Sequence, residues 1–478
     1  MKVNTEHPQF TENFTGWRKI RDTLIGARAI KAAIPDGAAK ADTVYLPRLD
    51  DQTPNEYRDY QARATFVNYS NRALTAWGGI LFRKPVVLGR ANPMMEADAD
   101  MQGRTFQRYV EMIGEQVLSV GRAGTLVDWN MEEARPYLAY YPTESVLNWR
   151  FARIRGRYAL VLLVLTEERP VDENDRFSHD TETVYRVYER LEKDVVVSVY
   201  KIVEGEEVLM EQTFPTKRGK PLMDIPFVFH SAVDLCGGCV GPAPIENIVE
   251  VNLSHFRNTA DLENGRHLVG VPTPVVCGFD IKGDLKIGPN ASLVSPDAAA
   301  HAEFMEFSGS GLSELRLALE EKEKQMAMLG ARAITPDVGG AEATETVQLR
   351  ATAESASLVD IAQALEVQFN DVVRWFEFWT TPAAEGRPLG SDTASVTFNR
   401  DFITLKMQPD EVTALVQAVI SGKLSFDSYF YQLQQGEIYP DGWTIENERE
   451  AIEASLTMGM PQPPQPANPA NPGKSTQV

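Results

Sequence analysis

The segment that most constrains the fold of this chain runs from about Glu342 to Trp379. Leu358, Ile361, Leu365, Phe369, Val372, Phe376 and Trp379 recur at steps of three and four, with Glu354 the one misfit. That repeat is one apolar face of a helix. At 1.5 Å per residue the helix is on the order of 55 Å long. Such a stripe is covered either by an ordinary buried core or by neighbouring copies of the chain, and the pattern alone fits both. Directly before it, Thr335-Pro336-Asp337-Val338-Gly339-Gly340 predicts a loop.

The other elements fall into three groups. Trp17, Ile20, Leu24 and Ile25 predict a helix over 12–33, and Tyr57, Tyr60, Ala64, Val67, Asn71 and Leu74 a second from Asn55 to about Leu81. Asn55 is the expected cap and Pro85 the expected stop. A third spans about Gln102 to Val120, with Phe106, Tyr109, Ile113 and Val117 on one face. After Gly124 the pattern changes to short β-branched and aromatic runs: 125–129, 137–141, 146–151, 158–166, 183–190, 195–203, 207–213 and 226–230. Tight links between them predict one antiparallel meander. Helix returns behind Pro242 and Pro244 to about Leu268, and again from Ser313 to about Ala331. Residues 271–308 between them read as a small strand-containing insertion, with short pieces at 273–277, 292–295 and 303–307. Residues 395–407 suggest a strand, and 409–421 and 425–434 two short helices. The tail 461–478 holds six prolines and no apolar period, so it is expected to be disordered.

Charge narrows the function. The 478 residues suggest two to four structural units. They carry 47 Lys+Arg against 67 Asp+Glu, a net −20, which argues against a general basic surface that grips nucleic acid. Residues 1–90 hold 14 basic and 9 acidic residues, a balance of +5, leaving −25 for the rest. Either this is a plain basic helix pair, or the N-terminal arm faces something anionic. The longest aliphatic run, Ala159–Leu165, is far short of the roughly 20 residues of a membrane span. The opening residues predict no secretory signal, and three cysteines fit a reducing compartment.

Catalytic signatures are sparse. Cys236-Gly237-Gly238-Cys239 has zinc or redox spacing, yet a structural zinc needs four ligands. Only Cys277, His230 and His255 offer themselves as further partners. A Gly-bracketed turn before a Pro-capped helix is the plainer reading of that motif. Asp128 ends a strand, where an aspartate more often serves a turn than catalysis. There is no GxxxxGK[ST], HExxH or GxSxG. No catalytic residue, metal or cofactor is therefore assigned.

Several segments, in collinear order, resemble the portal proteins of tailed bacteriophages, nearest to a subfamily known as an uncharacterised phage domain. They are Tyr57-Arg-Asp-Tyr-Gln-Ala-Arg-Ala-Thr-Phe-Val-Asn-Tyr-Ser-Asn-Arg-Ala-Leu with Gly79-Ile-Leu-Phe-Arg-Lys-Pro85, Gly121-Arg-Ala-Gly-Thr-Leu-Val-Asp128 and Pro226-Phe-Val-Phe229. Further on they are Asn252–Asn264 with Val269–Pro274, then Met328-Leu-Gly-Ala-Arg332 leading into Glu345-Thr-Val-Gln-Leu-Arg350. The resemblance covers roughly residues 10–405.

The resemblance implies an α+β portal fold with long stem and wing helices, a β-rich wing and a small α/β clip. Its expected parts are a helical arm and wing entry (1–100), the β-rich wing (101–240), stem helix one (241–270), the clip (271–308) and stem helix two (309–333). A tunnel loop (334–343), a long wing helix with a following strand (344–400), crown-like helices (401–460) and the Pro-rich tail (461–478) complete the order. Thr335, Pro336, Asp337, Val338, Gly339, Gly340 and Glu342 are the implied DNA-channel residues; the loop is acidic, with a flexible glycine pair. Roughly a dozen copies would close a ring at one capsid vertex. The implied partners are further copies of the chain, the terminase large subunit, major capsid and scaffolding proteins, and a head–tail adaptor. Double-stranded DNA would pass through without sequence-specific binding, and no membrane is involved. The implied location is the virion, after assembly in the host cytoplasm. Another head–tail connector or minor capsid protein is the alternative, and a CxxC-dependent metal or redox enzyme a more distant one. Replacing Cys236 and Cys239 by Ser should leave the circular dichroism spectrum and elution volume unchanged; loss of folding would give the pair a structural role.

Overall fold

The computed structural model describes residues 2–32, 45–48, 50–90, 92–154, 156–172, 175, 177–233, 238–270, 273–279, 294–305, 310–330, 344–382, 386, 388, 395–400, 402, 409–435, 438–439 and 443–457. These form two compact units, Met1–Phe402 and Ile403–Val478. Helices and strands are mixed throughout the first, giving the expected α+β class.

Helix α1 (Pro8–Ile25) begins earlier than the sequence pattern suggests. Pro8 needs no backbone donor in the first turn, and His7 accepts from the Gln9 amide as cap. It stops at Gly26, where φ is +94°, before the short α2 (Ala27–Ile30). The single helix expected over 55–81 is in fact two. Helix α3 (Pro54–Arg63) is capped by Thr53, not Asn55, in a reciprocal box with Glu56. Helix α4 (Tyr69–Leu81) starts at Asn68, whose Oδ1 accepts from the Asn71 amide. The Asn68 Nδ2 donates to the Thr23 and Leu24 carbonyls, both at 3.0 Å, so tertiary bonds fix the break that the apolar period conceals. Strand β1 (Val87–Leu88) and α5 (Pro93–Ala97) lead into α6 (Phe106–Val120), capped by Thr105.

All eight expected strands occur: β2 (Arg122–Asn130), β3 (Arg135–Pro142), β4 (Val146–Ile154), β5 (Arg157–Pro170), β6 (Thr181–Arg190), β7 (Val195–Val203), β8 (Glu206–Thr213) and, after the small hairpin β9 (Thr216–Lys217)–β10 (Lys220–Pro221), β11 (Phe227–Ser231). They do not make one meander. Only β4 to β8 run in sequence order, as a five-stranded antiparallel sheet; β11 returns to pair with β2, giving a second sheet ordered β11-β2-β3.

Strand alternation sorts the faces of this second sheet. Ala123, Thr125, Val127, Val228 and His230 share one face. It meets α6, through the Tyr109 hydroxyl 2.9 Å from Thr125 Oγ1, and the last long helix, through Phe369 against His230. Arg122, Gly124, Leu126, Asp128, Phe227 and Phe229 share the other face, which meets the five-stranded sheet. Gly124 has no side chain because the Phe227 ring fills that space: a Cβ there would lie 2.2 Å from its Cζ.

Helix α7 (Glu246–Gly270) follows, then β12 (Thr273–Cys277) paired antiparallel with β13 (His301–Met305), α8 (Ser310–Met328) and α9 (Thr344–Thr380). The strand piece expected at 292–295 is absent where described: residues 294 and 295 are irregular. Of the strand expected over 395–407 the described part is β14 (Val396–Thr397), paired with β1. Phe369, Val372 and Phe376 of α9 are fully buried, so the stripe that defined this helix is core. In the second unit α10 (Pro409–Ile420) and α11 (Phe426–Gln435) match expectation, and α12 (Ile445–Thr457) is an unforeseen third helix, tied to α11 by Arg449 and Asp427. The tail 461–478 lies outside the described residues.

Gly121 ends α6 with φ +78°, and a Cβ there would stand 2.9 Å from the Pro242 carbonyl oxygen and 3.2 Å from the Ala243 Cα. Gly121→Val should therefore lower unfolding stability by roughly 2 kcal/mol or more. Gly16→Ala, in α1 with nothing within 4 Å, should be neutral or stabilising by up to about 1 kcal/mol. Urea denaturation of both variants checks the contrast.

Candidate functional site

Helices α7 and α8 form an antiparallel pair with the β12–β13 hairpin inserted between them. Their direction is fixed by two levels of contact. Near the hairpin, a Cβ on Gly265 would lie 2.5 Å from Leu312 Cδ2; one end lower, Lys322 Nζ donates to the Ser254 carbonyl at 3.2 Å and His255 Nε2 lies 3.4 Å from Glu323 Oε1. At 1.5 Å per residue α7 is roughly 37 Å long.

The N-terminal helices hold α7 by polar contacts that its apolar spacing does not announce. Asn252 is fully buried; its Oδ1 accepts from the Ser70 amide and hydroxyl, and its Nδ2 donates to the Val67 carbonyl. The Tyr60 hydroxyl donates to Asp261, and the Tyr69 hydroxyl to Glu323 at 2.9 Å. Burial, reinforced by Glu323, pushes the Tyr69 phenol up to about 12. Lys322 is held down by burial first and by Arg257 second.

The seven expected channel residues, Thr335, Pro336, Asp337, Val338, Gly339, Gly340 and Glu342, lie outside the described residues. Their flanks are described. On the α8 side the Trp77 indole donates to the Gly330 carbonyl at 3.1 Å. On the α9 side Gln368 bonds the Ser231 backbone amide and carbonyl, and the Trp379 indole donates to the Val127 carbonyl at 3.1 Å. The C-terminal end of α9 is gripped by buried Lys217, which donates to the Phe378 and Thr381 carbonyls. Trp77, Gln368 and Lys217 carried no sequence signal as anchors, because each acts on a backbone group far away in the chain.

The residues weighed for chemistry are not brought together. Asp128 is half-buried between the two sheets; burial raises its carboxyl, opposed by its bond to the Trp129 amide and by Arg186. Arg186 is itself bidentate to Glu167, which also accepts from the Tyr141 hydroxyl at 2.7 Å. This cluster cross-braces the sheets. Cys239 and Cys277 are exposed and unpaired, while Cys236 is outside the described residues. His230 turns its Nε2 to Thr125 Oγ1 at 2.8 Å, and His255 faces Glu323, so neither joins a cysteine. Among the described residues no group of three or more His, Cys, Asp or Glu could hold a metal ion, and no helix is long and apolar enough to cross a membrane.

One feature between the sheets was not singled out by the sequence. Arg122 is 1% exposed, with no hydrogen-bond partner for any guanidinium nitrogen among the described residues. Its guanidinium lies 3.9 Å from the Trp149 ring centroid and 4.5 Å from that of Phe229. His7 stacks on Trp149 at 3.9 Å. Burial pushes Arg122 down to about 9, which still leaves it charged at neutral pH.

Comparison with known proteins gives one family match, described as a domain of unknown function (DUF4055), over residues 244–380, the stretch from α7 to α9. No curated protein matches the sequence. Among solved structures, the virion of a native gene transfer agent matches at 11% identity and TM-score 0.40, over 87% of this chain and 99% of that one. The neck of an empty gene transfer agent particle matches at 10% and 0.39, over 81% and 94%. An HK97 family phage portal protein from Corynebacterium diphtheriae matches at 12% and 0.31, over 77% and 97%.

The buried histidines set a pH dependence. Burial pushes His230 from 6.5 down to about 3, and lowers His255 with Glu323 opposing. The unfolded chain then binds a proton that the folded chain refuses, so stability falls as pH drops through 6.5. For His230 alone the loss between pH 7 and pH 5 is about 2 kcal/mol. Urea midpoints at the two pH values should show this, and His230→Gln should flatten the slope. An unchanged slope in the variant would assign the dependence to other groups.

Proposed function

We propose that this chain is the portal subunit of a tailed bacteriophage: a ring-forming conduit through which double-stranded DNA enters the capsid and later leaves. The observation that carries the reading is the antiparallel pair α7–α8 with a β-hairpin inserted at its tip, followed by an acidic Gly-Gly segment and the long α9. That is the order of stem, clip, stem, tunnel loop and wing helix implied by the sequence resemblance. Burial supports it further. Met326 is the only fully buried side chain described in α8, while Leu317 and Met328 are exposed. A 19-residue helix so thinly covered within its own chain gains stability when further copies pack beside it.

The charge suits a conduit. Each phosphate neutralised by Lys or Arg adds affinity, and affinity for a moving polymer is friction. A net charge of −20 per copy, repeated around a closed ring, repels the duplex and keeps it centred. Asp337 and Glu342, on the segment between α8 and α9, extend the same repulsion to the proposed narrowest point. In this reading the hairpin end meets the terminase motor during packaging and the head–tail adaptor afterwards, and capsid and scaffolding proteins contact the outer body. The chain performs no chemistry itself; the motor supplies the work.

Electron microscopy of the purified protein should show rings with a lumen wide enough for a DNA duplex, and particles without a lumen at every concentration would overturn the reading. Asp337→Lys combined with Glu342→Lys should leave rings intact but lower the yield of packaged DNA. Unchanged packaging would remove that segment from the mechanism.

A further inference from the structure

The two aromatic rings beside Arg122 account for only part of its surroundings. Its guanidinium carbon lies 3.9 Å from the Trp149 centroid and 4.5 Å from that of Phe229, and those centroids are 6.2 Å apart. The three distances make a nearly right angle at the guanidinium, so the rings flank it on adjacent sides and do not sandwich it. A guanidinium carries five N–H donors. Among the described residues none of its three nitrogens has a hydrogen-bond partner, and none has appreciable surface open to solvent. The one group among those residues whose ionised form favours the charge is the Cys239 thiol.

Ring faces attract the charge but leave the donors unanswered. Buried polar groups in folded proteins are otherwise satisfied by ordered water or by an ion. Water offers acceptor lone pairs without compensating charge, whereas an anion supplies both. The site also lies close to the surface. His7 is half-buried, stacks on Trp149 at 3.9 Å and is held down first by burial and then by the Arg122 charge. Cys239 is exposed, and Gly238 before it sits on ring edges: a Cβ there would lie 3.0 Å from Phe229 Cδ2 and 3.1 Å from Phe151 Cε2. Segments 7–9 and 238–240 meet through the Val240 amide, which donates to Gln9 Oε1 at 3.2 Å. An ion entering between them reaches the guanidinium by displacing side chains, not strands.

We propose that Arg122 is the centre of a buried halide site, in which one chloride ion accepts from its guanidinium N–H groups beside Trp149 and Phe229. The tight enclosure selects for size and shape. A single spherical ion needs less room than a tetrahedral oxyanion, and a large, weakly hydrated monoanion costs least to take out of water. The ion sits where the N-terminal segment, the start of β2 and the segment leading to α7 converge, so it ties three distant parts of the chain together. It is a structural ligand and does not depend on the conduit reading.

Thermal unfolding of the full chain tests this, with sodium bromide replacing sodium fluoride at constant pH and ionic strength. Bromide should raise the midpoint saturably, by about 2 °C at ten times the half-saturating concentration. The general salt effect runs the other way, because a weakly hydrated anion is less excluded from protein surface, and it does not saturate. Arg122→Met removes the charge and keeps an apolar stem of similar length; it should fold and lose the saturable rise. A crystal of the parent protein grown in bromide should show an anomalous peak within hydrogen-bonding reach of the guanidinium, whether or not the variant folds. A midpoint that falls or changes without saturation would overturn the proposal. So would a folded variant that responds to bromide as the parent does, or a crystal with water or a protein carboxylate in place of the peak.

Discussion

Strand β2 is the element on which the first unit depends, because over residues 122–127 both of its faces are buried and each is claimed by a different layer. Thr125 and Val127 look toward α6 and α9, while Arg122, Gly124 and Asp128 look toward the five-stranded sheet. A strand used in this way tolerates little change in size on either side. The side-chain alternation puts Arg122, Gly124, Leu126 and Asp128 on one face. Gly124 yields its volume to Phe227, Arg122 spreads its charge over two rings, and Asp128 sits among polar groups that also bind Arg186. Cation–ring contacts of this kind contribute about 2 kcal/mol each when desolvated, which offsets part of the cost of burying an unpaired guanidinium.

Around that strand the long helices are attached in two different ways. Helix α9 is held by packing, with Phe369 and Phe376 in the core, and its register is set by Gln368 and by the Trp379 indole reaching backbone groups of β11 and β2. Helix α7 is buried along its first half and exposed toward its end, and α8 touches little besides α7 and the groups near Tyr69. The first arrangement makes a rigid body of α9 and the sheets. The second leaves a helical pair whose surface has more to gain from further contacts.

What the sequence disclosed follows the range of the interaction responsible. The stripe from Leu358 to Trp379 and the eight strands were legible because local periodicity and burial agree there. The break between α3 and α4 was not, since Ala64 and Val67 continue the apolar period while Asn68, an ordinary residue in one dimension, bonds α1 across the fold. The return of β11 to β2 joins residues about a hundred positions apart, and no local pattern encodes it. Of the candidate site, the α7–α8 pair and its hairpin were legible from proline placement and spacing. Arg122 was not, because an arginine directly after the glycine that ends a helix reads as surface. Helix α12 was missed because its large apolar residues are only Ile445, Ile452 and Leu456, with four glutamates among them.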